Sequence, residues 1–319
     1  MGFVREAARQ GYFAVRDHAP GATALLFVPL ARRKGLKLKI HSDRTDVIAG
    51  HRLIRLSHRH QIYLPDIIEA FDFYHSAVEP IEEGELEVVD YSGSRFHEVA
   101  GYPLHPILFP SLAEPIETTQ QYIDFGRLFD GAVVIDLGAY SGLTSILFDQ
   151  AVGPGGKVVS VDADALNISC VRKNVDLYQR VTGRAIDVVY GAVWSSDGTL
   201  EFSTEGNMGS SAASIVGAGR GAIRQVPALT LNTLAQRCGL NRVDFIKCDI
   251  EGAEAVIFDQ PDFFARFRPR MIVEVHMMGG QLTSADCRKS LEPFGYVCRE
   301  VRQPGSALPL LECEIPAND

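Results

Sequence analysis

The 319-residue chain has no Cys-x-x-Cys pair, no long apolar run and no excess of basic residues. Its six cysteines stand apart at 170, 238, 248, 287, 298 and 313. Lacking the close spacing of a zinc or redox motif, they are expected as reduced, mostly buried thiols of a cytoplasmic chain. No stretch approaches the roughly 20 apolar residues that cross a bilayer, so no membrane span is expected. The run ALLFVPLA is too short and starts too far in for a leader. A net charge of -9 argues against general nucleic-acid binding, which needs a basic surface. The one basic run, ARRKGLKLK (31–39), is expected as a solvated loop and strand edge. Internal repeats and low-complexity tracts are missing as well. GSSAASIVGAGRGA (209–222) is the one long small-residue stretch and is expected as a mobile loop over the site. Nothing in the sequence fixes oligomeric state, and a homo-oligomer stays open.

What is present changes character near residue 130. Beyond it, short β-branched runs alternate with helical patterns. VVID (133–136), KVVSVD (157–162), IDVVYGAV (186–193), VDFIKCD (243–249) and RMIVEVH (270–276) are near-continuous apolar strands between helices. That pattern means an α/β fold with a parallel sheet covered on both faces. YVCREV and LPLLECEI, joined by RQPGSA, read as a closing antiparallel hairpin. The first 129 residues lack this rhythm. LKLKIHS, HRLIRLSHRHQIYL and GELEVVDYS alternate like strands, DIIEAFDFYHSAV carries a helical stripe, and ETTQQYIDFGRLF (117–129) is predicted as a helix. Residues 1–129 are therefore expected to form an N-terminal α+β cap and substrate region, and 130–319 a ligand-binding α/β domain.

The turn after the first parallel strand, DLGAYSG, poses the functional question. A P-loop needs Gly-Lys-Ser/Thr, and Gly142 is followed by Leu143. A dinucleotide fingerprint aligned on Gly138 would need glycines at 140 and 143, where Tyr140 and Leu143 stand. S-adenosylmethionine carries no phosphate and needs no such cradle. It asks for room near Gly138, an acid for its ammonium group and an acid for its ribose hydroxyls. Asp136 and Asp162, the latter 20 positions after Gly142, have those places; Asp164 is the alternate for the ribose. Helix capping by Asp136 and a merely tight bend are the competing explanation. Gly138, Asp162, Asp249 and His276 all fall at carboxyl ends of predicted strands, where such sheets form their crevice.

DLGAYSG, SVDAD, GAVWSSDGTLEF, LTLNTL, KCDIEGAE and IVEVH, in this order, resemble the FkbM-like family of class I S-adenosylmethionine-dependent methyltransferases. The resemblance covers about 130–276, and KCDIEGAE is its most specific piece. It implies a Rossmann-like seven-stranded class I methyltransferase sheet and S-adenosylmethionine as cofactor. It also implies O-methylation of a hydroxyl on a small molecule or sugar, such as a natural product or glycan. Asp136, Gly138 and Gly142 match the family's cofactor loop, and Asp162 its ribose acid. Ala163 stands where many members have proline. Ala192 and Val193 match the segment at the adenine, and Asp249 and Glu251 the block beside the methyl group. Tyr140 replaces a small or amide residue and either shapes the methionine end of the pocket or packs elsewhere.

Methyl transfer is an in-line displacement in which the protein aligns the nucleophile and takes its proton. Asp249 and a His276 of near-neutral pKa are the candidate bases, while Lys247 is a catalytic candidate that equally suits pairing with a carboxylate. Glu114, Glu117 and Tyr122, just ahead of the first parallel strand, are candidate substrate contacts. Asp249, Glu274 and His276 have ligand chemistry for a metal, but none is assigned. N-methylation and a non-catalytic binding protein on the same fold remain the alternatives. Loss of the cofactor acids would mark the latter, and Asp136 and Asp162 are both present.

Overall fold

The structure, a computed structural model, describes residues 20–204, 211–212, 222–278, 280–306 and 308–316. The 209–222 stretch lies outside the described residues apart from Ser211, Ala212 and Ala222. Two compact units emerge, Met1–Ile116 and Glu117–Asp319. No helix among the described residues is long and apolar enough to cross a membrane.

The first unit holds a five-stranded sheet in the order β1-β2-β3-β5-β4. Its strands are β1 (Lys37–Ile40), β2 (Arg44–Ala49), β3 (Arg52–Ser57), β4 (Ile81–Glu83) and β5 (Leu86–Tyr91). A hairpin of β6 (Arg95–Val99) and β7 (Tyr102–Phe109) follows. Three sequence expectations are corrected here. The run His58–Tyr63 is a 3-10 helix, not a strand, because the Ser57 hydroxyl accepts the His60 N–H at 3.3 Å and starts a helical turn. The stripe over DIIEAFDFYHSAV is two helices, Leu64–Glu69 and Phe71–His75, broken at Ala70 with φ -129° and ψ 46°. ARRKGLKLK begins as the end of the helix Val28–Arg33 rather than as a loop, turns at Lys34 and Gly35, and then forms β1 at the edge of the sheet, where a strand edge was expected.

The second unit is built on a seven-stranded sheet in the order β10-β9-β8-β15-β16-β20-β19. The strands are β8 (Val133–Leu137), β9 (Lys157–Asp162), β10 (Asp187–Tyr190), β15 (Phe245–Cys248), β16 (Arg270–Glu274), β19 (Val297–Val301) and β20 (Leu310–Glu314). The first five run parallel, and β20 lies antiparallel between β16 and β19. This is the Rossmann-like α/β sheet expected of a class I methyltransferase. Its interior strands are apolar because both faces are covered: Ile135, Val159, Ile246 and Val273 are all fully buried in one cluster. Burying each such side chain stabilises the fold by about 2 kcal/mol.

Helices follow the strands at their carboxyl ends. Leu143–Val152 follows β8 and Ala165–Thr182 follows β9. The second is capped by Asp164, whose carboxylate accepts the N–H groups of Leu166 at 2.7 Å and Asn167 at 3.3 Å. That cap accounts for Asp164 and leaves Asp162 as the acid facing the turn. IDVVYGAV is not one strand: Gly191 interrupts it, and β11 (Ala192–Val193) joins a separate sheet. Its partners there are β14 (Ala222–Leu229), β12 (Gly198–Thr204) and β13 (Ser211–Ala212).

Candidate active site

The turn after β8 is held in a conformation that only its sequence permits. Gly138 and Gly142 have φ of 76° and 81°, and Tyr140 has φ 54°. A Cβ at Gly138 would lie 1.7 Å from the Asp249 carbonyl oxygen, so the chain leaving β15 passes where a side chain would be. The Asp249 N–H donates to the Leu137 carbonyl at 3.1 Å, and the Gly138 N–H to that of Val161 at 3.0 Å. The ends of β8, β9 and β15 are thus tied together around one glycine.

Asp162 sits at the end of β9 and points at this turn. One carboxylate oxygen accepts the Tyr140 N–H at 2.8 Å, the other the Asp164 N–H at 2.8 Å. The Asn167 amide lies 3.4 Å from both oxygens. Burial pushes its pKa up to about 7 against these donors, which favour the charged form. Ala163 and Ala192 meet in a small apolar cluster with Phe202 and Val226 beside it, and the Gly191 N–H donates to the Asp162 carbonyl at 3.0 Å. Period-two alternation sends Val193 the other way, into the main core.

Asp136 is fully buried near the end of β8. Its Oδ2 accepts the Ser145 hydroxyl at 2.5 Å, while Oδ1 has no hydrogen-bond donor among the described residues and lies 3.5 Å from the Lys247 ammonium. Lys247, on β15, donates to the Gly138 carbonyl at 2.8 Å and lies 3.5 Å from Asp249 Oδ2. Burial opposes its charge, but Asp136 and Asp249 outweigh that and raise its pKa. It is an ion-paired strut between two strands, the pairing role the sequence left open.

His276 lies just past the end of β16, among acids. Its Nδ1 is 2.9 Å from Oε1 of the fully buried Glu254, and the Gly252 N–H donates to that same oxygen at 3.0 Å. Its Nε2 faces Glu251 Oε1 at 3.7 Å and Asp249 Oδ1 at 3.9 Å. Burial works against the imidazolium, yet Glu251, Glu254 and Asp249 prevail and raise the pKa well above its ordinary value. The near-neutral histidine expected from sequence is therefore corrected: its neighbours hold the proton on. Glu251 takes φ 53° in the turn that brings it to this cluster.

The structure thus brings together Asp136, Gly138, Tyr140, Gly142 and Asp162 around one turn. Lys247, Asp249, Glu251 and His276 gather beside it. The expected substrate residues are apart from these groups in character: Glu117 is exposed and Tyr122 buried on the helix Ile116–Gly126, and Glu114 is half-buried in the first unit. Sequence reasoning does not reveal Ser145 and Asn167 as partners of Asp136 and Asp162, nor Glu254 as the anchor of His276. For Glu254 a signal existed, since it closes the KCDIEGAE block; for Ser145 and Asn167 no local pattern marks the contact.

Residues 136–298, half of the chain, match the family described as Methyltransferase FkbM domain. The chain belongs to the FkbM methyltransferase family. The matched span runs from Asp136 through the glycine turn, Asp162, the Lys247–Glu254 block and His276, so every element of the cluster lies within the FkbM domain. A comparison with curated proteins finds no match. Among solved structures, the chain is similar to methyltransferase FkbM from Methylobacillus flagellatus KT, at 14% identity and a TM-score of 0.42. That alignment covers 61% of this chain and 50% of that one, so this chain spans half the length of that relative. An O-methyltransferase from Bacillus cereus in complex with SAH aligns at 14% identity over 64% of this chain and 82% of its own, TM-score 0.38. Aeropyrum pernix fibrillarin with natively bound S-adenosyl-L-methionine aligns at 12% identity over 88% and 98%, TM-score 0.40. These likenesses are loose, and the assignment to the FkbM family rests on residues 136–298.

Proposed function

We propose that this FkbM-family chain is an S-adenosylmethionine-dependent methyltransferase that methylates a hydroxyl oxygen on a small molecule or sugar. The observation that carries the reading is the Asp162 carboxylate, which accepts the Tyr140 N–H of the Gly138–Gly142 turn and has no ion-pair partner among the described residues. A phosphate would find acids there, and Lys247, the nearby ammonium, is engaged by Asp136, Asp249 and the Gly138 carbonyl. A cationic cofactor with a ribose diol fits the donor set. Asp162 would take the ribose hydroxyls, and Ala163 and Ala192 would flank the adenine. Asp136, whose Oδ1 lacks a donor among the described residues, would face the ammonium directly or through water. Tyr140, Gly142 and Glu251 complete the cofactor contacts in this reading.

The cofactor supplies a methyl group already activated on a sulfonium, so the acceptor hydroxyl becomes a methyl ether, a thioether departs and one proton is released. The chain's task is to align the hydroxyl and handle that proton. Asp249, with a partly exposed carboxylate between Lys247 and His276, is assigned the place beside the acceptor oxygen. Lys247 and His276 hold it there. Acceptor choice is assigned to residues 1–129, with Glu114, Glu117 and Tyr122 among them. Residues 130–319 then form the cofactor domain, and the expected location is cytoplasmic. The test is calorimetric titration with S-adenosylhomocysteine, with Asp162→Ala and NAD as controls, followed by hydroxylated sugars and polyketides as acceptors. Binding by wild type that is lost in Asp162→Ala supports the reading; tight NAD binding, or none by folded protein, defeats it.

A further inference from the structure

We propose that Asp249, Glu274 and His276 form a binding site for one divalent cation of the manganese or magnesium class. Their ligand atoms all lie within 4.8 Å of one another. Two carboxylates and one imidazole are a hard-to-borderline donor set, which suits Mn2+ most closely. A second observation concerns how the histidine is held. Glu254, fully buried, grips Nδ1 at 2.9 Å and is itself fixed by the Gly252 N–H at 3.0 Å. This is the carboxylate–histidine arrangement that orients a ligating imidazole and makes its other nitrogen more basic; an ion bound there would take the place of the Nε2 proton. It turns Nε2 toward the carboxylates of Asp249 and Glu251, at 3.9 and 3.7 Å, beyond hydrogen-bond distance.

The oxygens of Asp249 divide the work. Oδ2 faces Lys247 at 3.5 Å and Oδ1 faces His276 at 3.9 Å, so Oδ1 is the oxygen offered to an ion. Charge points the same way. Asp249, Glu251, Glu254 and Glu274 are four carboxylates around Lys247 and His276, and Lys247 is also shared with Asp136. A divalent ion would offset the remaining negative charge. Three protein ligands leave coordination positions open, and an acceptor hydroxyl is a suitable oxygen to fill one. That role rests on the methyltransferase reading; occupancy by the ion does not.

The experiment titrates Mn2+ alone into chelator-treated full-length protein and follows free Mn2+ by electron paramagnetic resonance. One ion per chain is expected, with a pulsed-resonance nitrogen coupling from the imidazole. Glu274→Gln and His276→Gln should abolish binding, the latter with the nitrogen signal. Glu254→Gln, which leaves all three ligands in place, should weaken it by about 10- to 100-fold. Circular dichroism checks that each variant is folded; should His276→Gln fail, the partly exposed Glu274 carries the test. Absence of Mn2+ and Mg2+ binding by folded wild type, or binding unchanged in Glu274→Gln, overturns the proposal. Parallel titration with S-adenosylhomocysteine keeps the two ideas apart. Cofactor binding without Mn2+ sinks only the ion site, and Mn2+ binding without cofactor sinks only the cofactor assignment.

Discussion

The role proposed for Asp162 predicts that cofactor affinity depends steeply on pH. Its carboxyl is held at about 7 in the free protein by burial, despite accepting two backbone N–H groups. Ribose hydroxyls donate to the charged form, so ligand binding must lower that pKa and expel the proton. The free protein is about 90% protonated at pH 6, which weakens apparent affinity roughly 10-fold against pH 8, and roughly 30-fold at pH 5.5. The sign for folding is related. The folded pKa lies above the ordinary 3.8, so the favourable contribution is complete below 3.8 and is lost as pH rises through about 7. Across that window of about three units the carboxyl costs the free fold up to about 4 kcal/mol. The assay is S-adenosylhomocysteine titration from pH 5.5 to 8.5 in two buffers of different ionisation enthalpy. Affinity should rise to a plateau above pH 7, with close to one proton released per binding event at pH 6. A flat profile with no proton release would refute the reasoning about Asp162.

Gly138→Ala must escape a 1.7 Å overlap with the Asp249 carbonyl at a positive φ. It should cost about 3 kcal/mol or more and lower Tm by roughly 6–12 °C; a melting curve within error of wild type would count against the tight joint of β8 and β15. Lys247→Met leaves the buried Asp136 without its ammonium. Denaturant unfolding should show a loss of about 3–5 kcal/mol, and an unchanged midpoint would show that the strut carries no weight. Ser145→Ala removes the 2.5 Å bond to Asp136 Oδ2. A loss of about 1–3 kcal/mol is expected by the same measurement, whereas a neutral result would mean that the hydroxyl is dispensable.

The parallel sheet was legible because its strands are apolar on both faces and end at glycines or acids, a pattern set by local composition. VVID and KVVSVD needed at most one residue of adjustment. The positions of Asp162 and Asp249 were legible for the same reason, since each stands at or just past the end of its strand. Period-two patterns in the first unit were less secure. His58 and His60 alternate like strand residues, yet a single serine cap turned that run into a helix. The antiparallel pair β12 and β14 escaped notice because AIRQVPAL is largely exposed and shows little apolar contrast. The charge on His276 was illegible for a different reason: its acids lie 22 to 27 positions away and meet it only in the folded chain.

The place of β20 carries a consequence for how the molecule is made. Residues 310–314 fill the slot between β16 and the edge strand β19, so that side of the second unit's sheet closes last in chain order. Until those residues leave the ribosome, β16 presents an unpaired edge of Met271, Ile272 and Val273, apolar and able to pair with another chain. His276 stands two residues beyond that same strand. During synthesis this protein therefore passes through a period in which Asp136, Asp162 and Asp249 have been made but their scaffold is open, and slowed translation over 275–310 should show as aggregation.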